Sequence, residues 1–190
     1  MPTLTYFKTF LKDKGIGAVA KSSKFAVGKI RNAMDLSRDV VIVEYGPGDG
    51  VITRVLLEEM TPSSRLIALE TNRAFVSLLN AVGDPRLIVI NDRAENLPNV
   101  LTELGVERVD YIFSGIPFSF LKKQERARVV RNTRTALVER GKFIVYQYSP
   151  LMAKYMKREF GNIRIGFIPF NLPSYFLMES VRSANNRIEA

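Results

Sequence analysis

The chain has 190 residues, 46% of them hydrophobic and 25% charged, enough apolar material for one globular core without covalent staples. It contains no cysteine and no histidine, which excludes disulfides, thiolate or imidazole metal sites, Cys nucleophiles and His-based triads. Twenty-eight Lys and Arg against nineteen Asp and Glu leave a net charge of +9, so the partners to expect are anionic, nucleic acid or acidic lipid.

Residues 1–38 hold eight bases against Asp13 and Asp35, and with them six of the nine net positive charges. Leu4, Phe7, Phe10 and Leu11 fall at helical spacing, with Lys8 and Lys12 elsewhere on the circumference, which predicts a basic amphipathic helix. Such a helix can lie on an anionic bilayer, each base contributing about 1 kcal/mol near the surface. The same stripe also suits packing on the domain behind it, and the same charge suits RNA phosphates. Gly15-Ile16-Gly17 supplies a hinge, so 1–38 reads as a lid-like segment ahead of a main domain over 39–190. No apolar run approaches the roughly 18 residues of a membrane span. Lys8, Lys12 and Lys14 interrupt any signal-peptide core, and the expected location is cytoplasmic.

From Asp39 onward short β-rich runs alternate with helical stretches. The strands are predicted at 40–45, 66–70, 87–91, 109–113 and 143–148, and the helices at about 51–60, 73–82, 122–138 and 150–160. Continuous apolar strands separated by helices predict a parallel sheet covered on both faces, and the right-handed crossover rule makes it doubly wound. Two further runs, Ile163 to Phe170 and Tyr175 to Val181, are joined by only four residues, Asn171 to Ser174, which permits antiparallel pairing alone. The expected fold is α/β, a Rossmann-like sheet of seven strands, mostly parallel, ending in an antiparallel hairpin.

The sharpest local signal is Glu44-Tyr45-Gly46-Pro47-Gly48-Asp49-Gly50, directly after the first strand and before a helix. Glycines there let backbone approach a ligand, and the helix start presents free N–H groups. A dinucleotide fingerprint would place its last Gly at Val51; here the glycines occupy every second position behind an acid. Glu70, followed by Thr71, closes the second strand, where a carboxylate can accept from both hydroxyls of a ribose. Asp92 lies past the third strand, placed to receive an adenine amino group together with the backbone of Arg93 or Ala94, although Asn91 and Glu95 are alternatives.

With Phe113-Ser114-Gly115-Ile116-Pro117-Phe118 at the end of the fourth strand, these segments resemble the successive motifs of the class I S-adenosylmethionine-dependent methyltransferases, over roughly residues 40–182. The resemblance implies that Gly46, Gly48 and Gly50 pack against the methionine portion of S-adenosylmethionine, that Glu44 anchors its ammonium through water, and that Glu70 holds the ribose. It implies no metal. Enzymes of this class acting on planar nitrogens carry Asn/Asp-Pro-Pro-Tyr or Asn-Leu-Pro-Tyr; here Pro117 and Phe118 are kept and the amide is missing, leaving the backbone carbonyls of Ser114 and Gly115. The flanking segments Gly17 to Phe25, Tyr148-Ser149-Pro150 and Asn171-Leu172-Pro173 resemble bacterial phospholipid N-methyltransferases, with Lys21 where the family has Pro and Ser174 in place of a second Pro. That implies an aminophospholipid acceptor, phosphatidylethanolamine, methylated up to three times towards phosphatidylcholine at the inner face of the membrane. An adenine N6 of rRNA is the alternative acceptor. Tyr146, Tyr148, Phe118 and Phe120 are candidates for a cation–π box around a methylated ammonium, Tyr148 first among them, with core packing the competing role.

Overall fold

A computed structural model of the chain describes residues 27–168 and 174–184. The predicted amphipathic helix, the Gly15-Ile16-Gly17 hinge and the Asn171-Leu172-Pro173 turn lie outside them. The described chain opens with a helix, α1, at 27–32, and then alternates: β1 (Val41–Tyr45), α2 (Val51–Glu59), β2 (Arg65–Leu69), α3 (Arg73–Asn80), β3 (Leu87–Ile90), α4 (Leu97–Glu103), β4 (Val109–Ser114), α5 (Lys123–Ala136), β5 (Leu137–Gln147), α6 (Ala153–Phe160), β6 (Arg164–Ile168) and β7 (Tyr175–Val181). The strands form one sheet in the order β3-β2-β1-β4-β5-β7-β6. β1 to β5 pair in parallel, and β7 runs antiparallel between β5 and β6, as the four-residue connection requires.

Alternation along each strand feeds two cores. Val43, Tyr45, Ile67, Leu69, Ile112, Phe143, Val145 and Met178 face α4, α5 and α6 through Leu97, Val100, Val129, Val130, Met156 and Phe160. Ile42, Leu66, Ala68, Tyr111, Phe113, Ile144 and Leu177 face the other way, onto Leu56 and Leu57 of α2 and Ile30 of α1. Ile30, Ala33, Met34 and Leu36 are buried there, so residues 27–38 are physically part of the sheet's cover, although the sequence groups them with the basic segment before them.

The fold departs from the sequence-based expectation in two places. Helix α4 is not predicted, because Asn96, Pro98 and Asn99 have the composition of a loop; Pro98 stands in the first turn, where its missing N–H costs nothing. Helix α5 stops at Ala136 and β5 begins at once, six residues earlier than expected. β5 then bulges: Val109 pairs with Leu137 and Tyr111 with Lys142, with Arg140 in the left-handed region at φ 64°. A side chain at Gly141 would meet the Val138 and Asp110 carbonyl oxygens at 2.9 and 3.0 Å, so the bulge requires glycine there.

Candidate active site

The chain reverses its winding between β1 and β4, and the carboxyl ends of these neighbouring strands diverge into loops that leave a crevice, the usual ligand position in an open α/β sheet. A cavity of about 570 Å³ lies there, within the size range of small-molecule sites. A second hollow, of about 480 Å³, opens at the opposite edge among Arg38, Arg65 and Arg108. That is the amino edge of the parallel strands, away from the switch point.

The glycine turn is shaped by φ values of 68°, 59° and 77° at Gly46, Gly48 and Gly50, a backbone that L side chains resist. Gly46 donates to the Leu69 carbonyl at 2.9 Å, tying the turn to the end of β2. Gly50 caps α2, and a Cβ there would stand 2.7 Å from Leu79 Cδ2 and 2.9 Å from an Arg54 nitrogen. Gly48 lines the cavity, and a Cβ there would meet nothing within 4 Å, so positive φ and not crowding is what favours glycine at this position.

Glu70 is buried, and its two oxygens accept separately, from the Gly48 N–H at 3.1 Å and the Asn72 N–H at 2.8 Å. The carboxylate is thereby fixed between the glycine turn and the start of α3, with lone pairs left over and a place in the cavity wall. Asp92 accepts from the Arg93 N–H at 2.7 Å and from the Asn96 side chain, which closes the turn after β3. The Arg93 guanidinium reaches outward to Glu95 at 2.9 Å and Glu125 at 3.4 Å.

Of the residues predicted from sequence, the structure brings Gly46, Gly48, Glu70, Thr71, Asp92, Arg93, Ala94 and Gly115 to one cavity wall. It does not bring Glu44, Gly50, Ser114 or Tyr148 there. Glu44 points to the α2 side of the sheet, 1% exposed, and accepts from the Thr53 hydroxyl at 2.7 Å. Burial, opposed by that hydrogen bond and assisted by the negative charges of Glu70 and Asp49, pushes its pKa up to about 7. Ser114 is buried behind the wall, its hydroxyl accepting from the Ile116 N–H at 3.3 Å. Tyr148 sits beyond the cavity with its ring tilted against Tyr175 at 5.2 Å, and Tyr175 in turn stacks on Tyr146 at 4.2 Å. The four aromatics do not form a box: Phe118 belongs to the core against α5 and Tyr146 packs on the opposite face.

Residues the sequence did not single out complete the wall: Leu69, Phe75 from α3, and Leu121 beside Ile116, Pro117 and Phe120. The 115–121 loop is held from behind by Arg126, which donates to the Phe118 carbonyl at 2.8 Å and the Ser119 carbonyl at 3.1 Å. Nothing in the spacing of the α5 charges distinguishes Arg126 from its solvated neighbours.

The chain is similar to fibrillarin from Aeropyrum pernix, whose crystal structure is in complex with natively bound S-adenosyl-L-methionine. The TM-score is 0.63 at 20% identity, with 84% of this chain and 76% of that one covered. The fold is that of the class I S-adenosylmethionine-dependent methyltransferases. Within this methyltransferase fold, the chain is 27% identical over 169 residues to an ornithine lipid N-methyltransferase from Singulisphaera acidiphila, covering 87% of this chain and 88% of the relative. It is also 31% identical over 96 residues to the ribosomal RNA small subunit methyltransferase H of Thiobacillus denitrificans. That match spans half of this chain and about a third of the relative's length. No protein-family model matches this chain.

Proposed function

We propose that this chain is an S-adenosylmethionine-dependent N-methyltransferase acting on the amine headgroup of a membrane lipid. The cavity fits the cofactor on its own geometry: a glycine turn held at positive φ in its wall, an acid held by two amides, and volume for a nucleoside. Bound there, S-adenosylmethionine supplies an electrophilic methyl group on a sulfonium. Glu70 would hold the ribose hydroxyls, Gly46 and Gly48 the methionine end, and Asp92 and the Ala94 backbone the adenine edge. Glu44 lies behind the turn, where its ionised form would act on the cofactor's ammonium through the intervening loop.

The observation that carries the choice of acceptor is the wall opposite Glu70. From Gly115 to Leu121 it offers Ile116, Pro117, Phe120 and Leu121, with no amide or carboxylate side chain. A planar base amino group placed there would have backbone carbonyls but no side-chain amide to pair with, and any part of its edge left unpaired costs free energy in a dry site. A headgroup amine loses water there too, but the apolar remainder of its lipid packs on this wall, which offsets the cost. What the wall contributes is placement, aligning the nitrogen lone pair with the methyl group, and placement of this kind supplies about 7–11 kcal/mol in well-oriented reactions. An incoming ammonium would first lose one proton to water; its nitrogen lone pair would then form the N–C bond as the methyl–sulfur bond breaks, S-adenosylhomocysteine leaving as a neutral thioether and the product nitrogen carrying the positive charge.

The relative's substrate supports a lipid amine, and the sequence resemblance favours phosphatidylethanolamine within that class, methylated towards phosphatidylcholine. The protein would work peripherally on the cytoplasmic face of the membrane, held there in part by the basic residues that precede the sheet's cover at 27–38. Among the described residues no helix is long and apolar enough to cross a membrane. The test is to incubate the full chain with methyl-labelled S-adenosylmethionine and, in separate arms, vesicles containing phosphatidylethanolamine, vesicles containing ornithine lipid, and rRNA. Label in the phosphatidylethanolamine is the expected result; label in ornithine lipid alone narrows the acceptor differently. Label in RNA only, or in nothing, refutes the proposal.

A further inference from the structure

We infer that the carboxyl edge of the sheet is the face that rests on an anionic bilayer, with Phe120 and Phe167 entering its apolar layer and Lys122, Lys123 and Lys154 meeting lipid phosphates. This rests on the aminolipid reading above and adds to it an orientation and a set of contact residues.

Exposed aromatic rings are not scattered over the described surface. Phe120 is 64% exposed, Phe167 58% and Tyr148 45%, and all three stand at the edge where the cavity opens. Phe120 is itself in the cavity wall, in the turn Phe118–Phe120 after β4. Tyr148 directly follows β5. Phe167 is the penultimate residue of β6, with its ring 5.3 Å from that of Phe176, and Phe176 pairs with Gln147, the last residue of β5. Rings exposed to this degree along one edge of the sheet, one of them in the cavity wall, are costly in water and favourable at the membrane–water boundary.

The charge of the same edge is complementary to acidic lipid. Arg73, Lys122, Lys123 and Lys154 are exposed there, at or beside the starts of α3, α5 and α6. Of the acids at that edge, Asp49 is exposed; Glu70 is buried, Asp92 and Glu95 are recessed, and Glu125 is occupied by the Lys122 N–H and by Arg93. An apolar centre rimmed by bases fits an anionic bilayer better than it fits an RNA, for which protruding rings outside a groove offer no continuous track. The geometry also meets a need of the reaction. With the mouth on the surface, a headgroup reaches the cavity while its acyl chains stay largely in the bilayer, and the cost of extracting each methylene is avoided.

The chain contains no tryptophan, so a single introduced indole reports its own surroundings. Phe120→Trp, Phe167→Trp and Val181→Trp would be made in the full chain, Val181 lying at the far, amino-edge end of β7. Each is mixed with vesicles of phosphatidylglycerol and phosphatidylcholine brominated on its acyl chains. Emission from positions 120 and 167 is expected to shift to the blue and lose most of its intensity, and emission from 181 to stay as in buffer. The double variant K122E/K123E is expected to bind phosphatidylglycerol vesicles at least about 30-fold more weakly at low salt. Unquenched indoles at 120 and 167 on vesicle-bound protein, equal quenching at 181, failure to bind vesicles, or shielding of 120 and 167 by RNA but not by vesicles would overturn the inference. If lipid is methylated while 120 and 167 stay unquenched, the orientation is wrong and the function stands. If both are quenched and no lipid accepts methyl, the function is wrong and the orientation stands.

Discussion

Glu44→Gln separates what the buried acid does for the fold from what it does for the ligand. The carboxyl is 1% exposed and accepts the Thr53 hydroxyl at 2.7 Å, an interaction the Gln carbonyl oxygen can keep. In the unfolded chain the group ionises near 4.5; in the folded protein, burial moves this to about 7. The folded state therefore keeps a proton that the unfolded chain has already lost. The stability contributed by the carboxyl is complete below about pH 4.5, declines as pH rises, and is gone above about pH 7. At ~1.4 kcal/mol per pH unit the interval corresponds to roughly 3 kcal/mol. Glutamine does not ionise, so the variant escapes this loss, less the cost of pairing its second N–H. Expected values are a gain of about 2 kcal/mol over the natural protein at pH 8 and a difference under about 1 kcal/mol at pH 4.5. Urea unfolding followed by circular dichroism at the two pH values measures both. A variant destabilised equally at both would show that hydrogen bonding, not charge burial, governs this position. Titration with S-adenosylmethionine should move the opposite way, weakening about tenfold as the ammonium loses its counter-charge, a stability gained at the expense of binding.

Three other substitutions probe the surrounding parts. Glu70→Ala removes the acceptor of the Gly48 and Asn72 amides and should weaken S-adenosylmethionine binding by about 10- to 100-fold with the circular dichroism spectrum intact; unchanged affinity in calorimetry would exclude Glu70 from the site. Gly50→Ala adds a Cβ 2.7 Å from Leu79 at φ 77° and should cost roughly 1–3 kcal/mol more than Gly83→Ala, where φ is 69° and no atom lies within 4 Å. Equal melting temperatures would mean that Leu79 moves aside freely. Arg126→Ala releases the Phe118 and Ser119 carbonyls and should raise the KM for the methyl acceptor several-fold while leaving the cofactor Kd unchanged. A loss confined to cofactor affinity would contradict this placement of Arg126.

Much of the sheet is legible in the sequence because its strands are continuous apolar runs: Leu66 to Leu69 is buried on both faces, and even Leu87 to Ile90, half-buried at the edge of the sheet, is apolar throughout. The glycine turn is legible for a different reason, since alternate residues at positive φ leave little choice of amino acid. Helix α4 is hidden by a Pro and two Asn that suit a first turn as well as a loop. The early start of β5 is hidden because Glu139, Arg140 and Lys142 continue the charged character of α5 past its last turn. In the site, backbone-dictated positions such as Gly48 and Glu70 are readable, whereas Phe75, Leu121 and Arg126 reach the cavity or its loop only through tertiary placement. Glu44 illustrates the limit best: the sequence places it at the end of a strand, and only the packing of α2 through Thr53 shows that it is dry.

Parallel pairing of β1 to β5 has one more consequence. Every intervening helix starts at the carboxyl edge, so the peptide dipoles of α2 to α6 add in the same sense and place partial positive charge on that side. The molecule is electrically polarised, and at low ionic strength an anionic surface tends to capture it edge-on before any side chain makes contact.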